Sequence, residues 1–350
     1  MGSIDADAHV IETPHTFSYI EAKDKAYTPM VVAQTSGATV LTNEGNVAKE
    51  YWVIDNRVFA KDQNIGSNTS QESREMSDLA GRLKHMDELD VAVQVLYPTL
   101  FLRPVTGRAQ VEYALCRSYN RWLADIWERS GGERLRWVAM PPLKSMDKVR
   151  DELKFCKERG ACGIFMRGFD NDMRLSNPYY DPMYKAAAEL DLPICLHSGN
   201  GSIAIHDFYV NESGLSKFKL PVIGDFHALI MDEIPKKYPD VRWGFVEVSG
   251  QWLPYALKDA AIRLKGMGRR MPADPLKEYN MYVALQVTDD FDHIFQYVGS
   301  DNLVVGTDYG HHDTSTEIEA LRLIKQDGKV PSRVVDKILG ANAERLYGLS

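Results

Sequence analysis

The hydrophobic positions of this chain fall into eight short runs, at about residues 3–9, 91–97, 135–140, 162–167, 193–197, 242–247, 281–287 and 303–308. Most are β-branched and almost continuously apolar, as parallel strands covered on both faces need to be. Between them the period changes. Apolar residues recur at helical spacing over 111–129, over 146–159 behind Ser145 as N-cap, over 179–190 and over 222–237. Eight strands alternating with helices predict an α/β fold, a closed (β/α)8 TIM barrel formed as one domain by residues 1–350. The competing topology is a doubly wound open sheet, against which no GxGxxG follows the first strand.

Two stretches exceed what a minimal barrel needs, and each follows a strand that ends in polar residues. The first spans about 14–81 and contains Tyr51-Trp52-Val53-Ile54-Asp55-Asn56-Arg57-Val58-Phe59-Ala60, which reads as a hairpin about an Asp-Asn turn, then a polar loop over 64–77. The second spans 199–225. There Gly199-Asn200-Gly201 supplies flexibility and His206, Phe208 and Tyr209 supply lid contacts. Loops of this length in compact domains are usually functional or disordered. The second reads as a lid over the barrel mouth, the first as a lid or a subunit contact.

Composition narrows the partners. The chain has 350 residues, 44% of them hydrophobic and 26% charged, and no apolar run approaches eighteen residues, so a membrane span is excluded. Its net charge of -8 comes without a compensating basic block, which argues against nucleic acid and for a small-molecule substrate. The N-terminus has no basic and apolar leader. Cys116, Cys156, Cys162 and Cys195 show no CxxC spacing. Together these features make a cytoplasmic protein the expectation.

Barrel enzymes place their chemistry at the C-terminal ends of the strands, and here those ends are unusually polar. Asp7 and His9 end the first run, two residues apart and therefore on one face. Glu12 follows closely. Arg167 ends the fourth, His197 the fifth, Glu247 the sixth and Asp308 the eighth. In the predicted register these groups converge on one axis, and burying so many charges without a cation is costly.

These residues carry a family resemblance over essentially the whole chain. Asp5-Ala-Asp7-Ala-His9-Val-Ile-Glu12, Leu83-Lys-His-Met-Asp87-Glu88-Leu, Leu196-His197-Ser-Gly, Phe245-Val-Glu247-Val-Ser-Gly250-Gln-Trp252-Leu-Pro254 and Gly306-Thr-Asp308-Tyr-Gly-His311 resemble the amidohydrolase superfamily. The resemblance is to its amidohydrolase-2 branch, related to aminocarboxymuconate semialdehyde decarboxylase. It implies a divalent metal held by the first-strand motif, His197 and Asp308. It also implies decarboxylation, hydration or hydrolysis of small carboxylates, and a homo-oligomer or a pairing with a related barrel subunit.

Three departures modify that expectation. Asp7-Ala8-His9 stands where many members have His-x-His, Glu247 stands where decarboxylase relatives have a proton-transferring histidine, and Gly310-His311-His312-Asp313 follows Tyr309 where proline is common. The nearest substitute for the missing histidine is His227. The metal-ligand candidates are therefore Asp7, His9, Glu12, His197, Glu247, Asp308 and His312, more donors than one four-coordinate zinc needs. One or two ions of iron, manganese or zinc are expected, the carboxylates weighting iron and manganese.

The candidate catalytic groups are His227 as acid, Asp308 as proton acceptor and Glu247 as a further proton carrier. Arg167 is the candidate fork for a substrate carboxylate, and Tyr97 and Trp252 are candidates for an aromatic wall, with core packing the simpler account. With these residues, the reaction the resemblance implies is hydrolysis or non-oxidative decarboxylation of a small carboxylate. The alternative, which the resemblance implies through amidohydrolase-like barrels that hold two irons or iron with manganese, is a monooxygenase subunit that hydroxylates a small amino acid or similar substrate and would require separate electron-transfer proteins. A third reading, a structural subunit beside a catalytic paralogue, is opposed by the intact ligand set.

Overall fold

The computed structural model describes residues 2–33, 39–42, 45–61, 64–209, 212, 214–328 and 330–349. Its eight barrel strands are β1 (Ser3–His9), β2 (Val91–Tyr97), β3 (Leu135–Ala139), β4 (Ala161–Gly168), β5 (Ile194–Asn200), β6 (Trp243–Val246), β7 (Met281–Leu285) and β8 (Leu303–Val305). Each pairs in parallel with the next. The ring closes between β8 and β1. Thr307 and Asp308 donate their backbone N–H groups to the Asp7 carbonyl at 3.2 and 2.9 Å, and His9 N–H reaches the Tyr309 carbonyl at 2.9 Å.

Closure depends on a small residue and a buried carboxylate. A Cβ on Gly306 would lie 2.2 Å from the Asp7 Cβ, so only glycine lets the last strand approach the first this closely. Asp5, fully buried, accepts the Thr307 N–H at 2.8 Å, the Thr307 hydroxyl at 2.6 Å and the Gln94 amide at 3.0 Å, tying β1, β2 and the end of β8 together. Gln94 in turn accepts from Arg82 Nε at 2.7 Å, and the guanidinium of Arg82 lies 3.6 Å from the centre of the Tyr309 ring. Buried charge of this kind is tolerable because it is bonded. Removing one partner typically costs about 3–5 kcal/mol.

Helices α1 (Leu79–Glu88), α2 (Ala109–Arg129), α3 (Val149–Lys157), α4 (Asp181–Glu189), α5 (Leu220–Met231), α6 (Leu253–Gly266), α7 (Phe291–Val298) and α8 (Ala320–Asp327) alternate with the strands. Two expected helices are interrupted. The 146–159 segment opens with a 3-10 turn, Met146–Lys148, and the Ser145 side chain makes no cap hydrogen bond. The 222–237 segment breaks after α5, where Glu233 takes a left-handed φ of 54° and Pro235 opens a short helix, Ile234–Lys237.

The long stretches after β1 and β5 have structure of their own. In the first, Glu50–Ile54 and Arg57–Ala60 pair antiparallel around Asp55-Asn56, as expected, and Met30–Ala33 adds a third strand. The expected polar loop over 64–77 contains a short helix, Gln71–Arg74. In the second, β5 runs on to Asn200, and a short helix, Ile203–Phe208, and a π-helical turn, Leu215–Lys219, follow. Gly199 and Gly201 are therefore not flexible joints. They are small because Leu102 and Asp170 press on them, with a Cβ on Gly201 falling 2.0 Å from Asp170 Oδ1. Parts of both expected stretches, 34–38, 43–44 and 62–63 in the first and 210, 211 and 213 in the second, lie outside the described residues.

The two stretches meet. Arg57 of the hairpin pairs with Asp207 at 2.5 Å, and the Phe59 ring packs edge-on against His206, centroids 6.2 Å apart. Among the described residues no helix is long and apolar enough to cross a membrane, and all four cysteines are buried thiols.

Candidate metal centre

Asp7 and His9 leave β1 on the same face, and His197 enters from β5. Glu247 follows β6 directly and Asp308 lies three residues past the end of β8, both with left-handed backbone, φ 59° and 53°. Non-glycine residues rarely adopt this conformation, which concentrates at functional sites. Here it turns both carboxylates inward. The sixth group, His311, sits on the loop after β8. All six are buried.

The imidazoles are held in defined tautomers by acceptors that cannot donate. His9 Nδ1 lies 3.0 Å from the Pro98 carbonyl and His197 Nδ1 lies 3.0 Å from the Ser198 carbonyl, so each must donate there. Both Nε2 atoms are then lone-pair donors. The Thr99 hydroxyl donates to the Val10 carbonyl at 2.8 Å, and it accepts from His311 Nε2 at 2.8 Å, which leaves His311 Nδ1 with the lone pair.

These donor atoms converge. His9 and His197 face each other Nε2 to Nε2 at 3.1 Å, Asp7 Oδ1 lies 3.1 Å from His197 Nε2 and 3.4 Å from His9 Nε2, and Glu247 Oε2 lies 3.3 Å from His197 Nε2. Asp308 Oδ1 lies 3.4 Å from His9 Nε2 and 2.8 Å from His311 Nδ1, while its Oδ2 accepts from the Thr316 hydroxyl at 2.6 Å. Two quartets result: Asp7, His9, His197 and Glu247, and His9, Glu247, Asp308 and His311. Within each, the ligand atoms lie within 4.8 Å of one another. Glu247 Oε2, Asp308 Oδ1 and His311 Nδ1 are buried without a hydrogen-bond partner. Opposed imidazole lone pairs and orphaned buried oxygens are what a divalent cation satisfies, so these residues fit one.

The electrostatics agree with crowded donors. Burial, reinforced by Asp308 in one case and by Asp313 and Asp7 in the other, pushes the Glu247 and Asp308 carboxyls well above the usual range. Burial would raise Asp7 as well, but His197 and His9 hold it low. Burial takes His9 and His311 down to about 4, whereas His197 is raised, burial opposing and Asp7 prevailing.

Several expected residues lie elsewhere. His312 is exposed, its backbone N–H bonded to the Asn64 carbonyl at 3.2 Å. Its neighbour His311 takes the inward place instead, because an antiparallel bridge to Ile65 fixes the alternation of that loop. Glu12 is buried, but its carboxylate accepts the Thr99 and Leu100 N–H groups (2.8 Å to Leu100) and belongs to neither quartet; burial pushes it up to about 7. His227 sits on α5 beside Asp259 of α6 at 3.0 Å, in the outer helical ring. Arg167 is fully engaged, by Asp170 at 2.6 Å and by the Phe101 and Arg103 carbonyls at 3.0 and 2.8 Å, and offers no open fork. Tyr97 lies inside, its ring 5.0 Å from that of His197 and its hydroxyl 2.8 Å from Tyr347. Trp252 donates to the Val248 and Ser249 carbonyls and packs on Phe226, 4.7 Å between centroids, which makes it a packing residue. His311 was visible in the last family motif, but only the Ile65 bridge distinguishes it from His312.

A (β/α)8 barrel with imidazole and carboxylate donors converging at the C-terminal strand ends defines a metal-binding barrel of the amidohydrolase type. The amidohydrolase-2 family model, described as amidohydrolase, matches residues 4–349, and the chain belongs to that family. No curated protein matches the chain in sequence. Among solved structures it is similar to an amidohydrolase from Mycobacterium avium subsp. paratuberculosis K-10, with 17% identity, 99% of each chain covered and a TM-score of 0.80. It is also similar to 5-carboxyvanillate decarboxylase from Sphingomonas paucimobilis, with 15% identity over 100% of this chain and 99% of that one and a TM-score of 0.70. A third is dihydroxybenzoic acid decarboxylase from Polaromonas sp. JS666 with bound manganese and the inhibitor 2-nitroresorcinol, with 17% identity, 99% and 97% coverage and a TM-score of 0.67. At these identities the likeness establishes the fold.

Proposed function

We propose that this protein is a metal-dependent enzyme that removes carbon dioxide from, or hydrolyses, a small carboxylate-bearing substrate at the centre formed by Asp7, His9, His197, Glu247, Asp308 and His311. The observation that carries the reading is the convergence of three imidazole lone pairs and three carboxylates, with three orphaned buried atoms among them. The likeness to decarboxylases, one of which holds manganese, supports it and weights decarboxylation. A divalent ion held there would polarise a substrate oxygen and stabilise developing negative charge.

The chain's own contribution is orientation and proton handling. Second-sphere acceptors, the Pro98 and Ser198 carbonyls and the Thr99 hydroxyl, aim the three imidazoles. In decarboxylation the bond to the departing carboxylate breaks and a proton joins the carbon left behind. Glu247 and Asp308, buried at the strand ends, are the groups proposed to carry it. His227 is too engaged with Asp259 in the helical ring for that role. The segment after β5 acts as a lid, tied to the hairpin after β1 through Arg57 and Asp207.

One observation favours a second reading. Glu247 belongs to both quartets, as a carboxylate bridging two ions would, and this supports a dinuclear iron or manganese centre that activates oxygen with the help of electron-transfer proteins. Elemental analysis after loading with manganese or iron gives the ion count. Carbon dioxide release from a panel of hydroxybenzoates and oxygen uptake by the reduced iron form then decide the chemistry. The decarboxylase reading expects carbon dioxide without oxygen consumption; reductant-dependent oxygen uptake with no carbon dioxide release would replace it with the oxygenase.

A further inference from the structure

The two oxygens of Asp308 have different surroundings. Oδ1 is buried without a hydrogen-bond partner, 3.4 Å from His9 Nε2 and 2.8 Å from His311 Nδ1, whereas Oδ2 accepts the Thr316 hydroxyl at 2.6 Å. One oxygen is thus left to the donor cluster and the other is engaged by a side chain eight residues further on. A hydrogen bond to Oδ2 restrains rotation of the carboxylate about its own axis. Oδ1 then keeps its place between the two imidazoles.

Thr316 closes a turn, residues 313–316, that is bonded within itself and to three distant segments. Within it, Asp313 donates its N–H to Thr316 Oγ1 at 3.1 Å, and Asp313 Oδ1 accepts the Ser315 N–H at 2.6 Å. The threonine oxygen therefore accepts from the turn while its proton goes to Asp308. From outside, Asp313 Oδ2 accepts the Asn64 amide at 2.9 Å. Ser315 is buried, and its Oγ accepts the Lys219 ammonium at 3.0 Å and the Gln286 amide at 2.6 Å. Glu317 N–H returns to the Thr307 carbonyl at 3.2 Å, beside Asp308 itself. Segments after β1, after β5 and after β7 thus fix the turn that carries the hydroxyl.

We propose that Thr316 is a positioning residue of the metal centre, whose hydroxyl confines Asp308 to ligation through Oδ1 alone. This rests on the functional reading above and adds a residue to its machinery. A hydroxyl donating to an ionised carboxylate makes a strong, charge-assisted bond. Groups that hold a ligating carboxylate in this way commonly contribute about ten- to a hundredfold to metal affinity. Removing the hydroxyl frees Oδ2 to turn toward the ion beside Oδ1, or lets the whole carboxylate swing.

The test compares wild type, Thr316→Val and Thr316→Ser by calorimetric titration with manganese(II) and by the visible absorption of the cobalt(II)-loaded proteins. Valine keeps the shape of threonine without the hydroxyl; serine keeps the hydroxyl without the methyl group. Thr316→Val is expected to bind manganese about ten- to a hundredfold more weakly and to change the cobalt spectrum, with circular dichroism unchanged. Thr316→Ser is expected to retain both the affinity and the spectrum of wild type, which a merely space-filling role would not predict. Wild-type affinity and spectrum in Thr316→Val, or equal losses in Thr316→Val and Thr316→Ser, overturn the assignment and leave the metal reading standing. A wild type that takes up neither ion overturns the metal reading, and the role of Thr316 with it.

Discussion

At the scale of single residues, the centre turns on which of two adjacent histidines faces inward. His311 and His312 are chemically identical, and the bridge from Ile65 to His311 assigns them opposite sides. His311→Ala is therefore expected to lower bound metal by half or more after dialysis, while His312→Ala retains the wild-type content, both with unchanged circular dichroism. Elemental analysis of the two variants checks this, and equal retention would remove His311 from the centre. The same contrast measures how much of the site was legible in the chain. The first-strand alternation announced Asp7 and His9, and the strand ends announced His197, Glu247 and Asp308. Loop residues carry no such period, so the sequence puts forward Glu12 and His312 as candidates and not His311. Arg167 shows the same limit: its position at the end of β4 was read, but its capture by Asp170 three residues later was not.

At the scale of elements, the hairpin after β1 and the short helix Ile203–Phe208 are coupled by Arg57 and Asp207. Asp207 is half-exposed, and such pairs are worth little, about 0–1 kcal/mol. Arg57→Ala is thus expected to change global stability by less than about 1 kcal/mol and yet to speed amide exchange over 203–208 several-fold, as measured by hydrogen exchange with mass spectrometry. Unchanged exchange would mean that Phe59 against His206 holds the two segments without the ion pair. Helix interruptions belong to this scale too. The break at Glu233 was concealed by continuous apolar spacing, which reports the face a segment buries and not whether its backbone stays helical.

At the scale of the whole molecule, the six donors come from β1, β5, the ends of β6 and β8 and the loop beyond, so an ion bound there links distant parts of the barrel. A ligand at a hundred times its Kd stabilises by about 2.7 kcal/mol. Chelation with EDTA is accordingly expected to lower Tm by several degrees, reversed by added manganese, in a calorimetric scan. No change on chelation would show that the ion binds without linkage to folding.

A second whole-molecule property is the pH response of the metal-free protein. Glu112 on α2, buried and bonded to the Lys144 N–H at 2.6 Å with Lys144, Arg167 and Asp170 nearby, is pushed by burial up to about 7 from its ordinary 4.5. A raised carboxyl makes the folded state bind more protons. Its contribution is full below about pH 4.5 and is lost as pH rises through about 7. Glu112→Gln should recover up to about 3 kcal/mol of the stability lost between pH 5 and 8, as read from urea midpoints with EDTA present. Parallel wild-type and variant profiles would place the buried proton elsewhere.

By itself the sequence determined the barrel, because eight apolar runs and the helical periods between them are local consequences of which side chains must be buried on two faces. It also placed Asp7, His9, His197, Glu247 and Asp308 at or near strand ends, because alternation along β1 and position at a strand end follow from residue number alone. Only the tertiary structure decided which loop histidine turns inward and which carboxylates remain unengaged. Those outcomes depend on contacts between segments tens to hundreds of residues apart, and spacing along the chain carries no record of them.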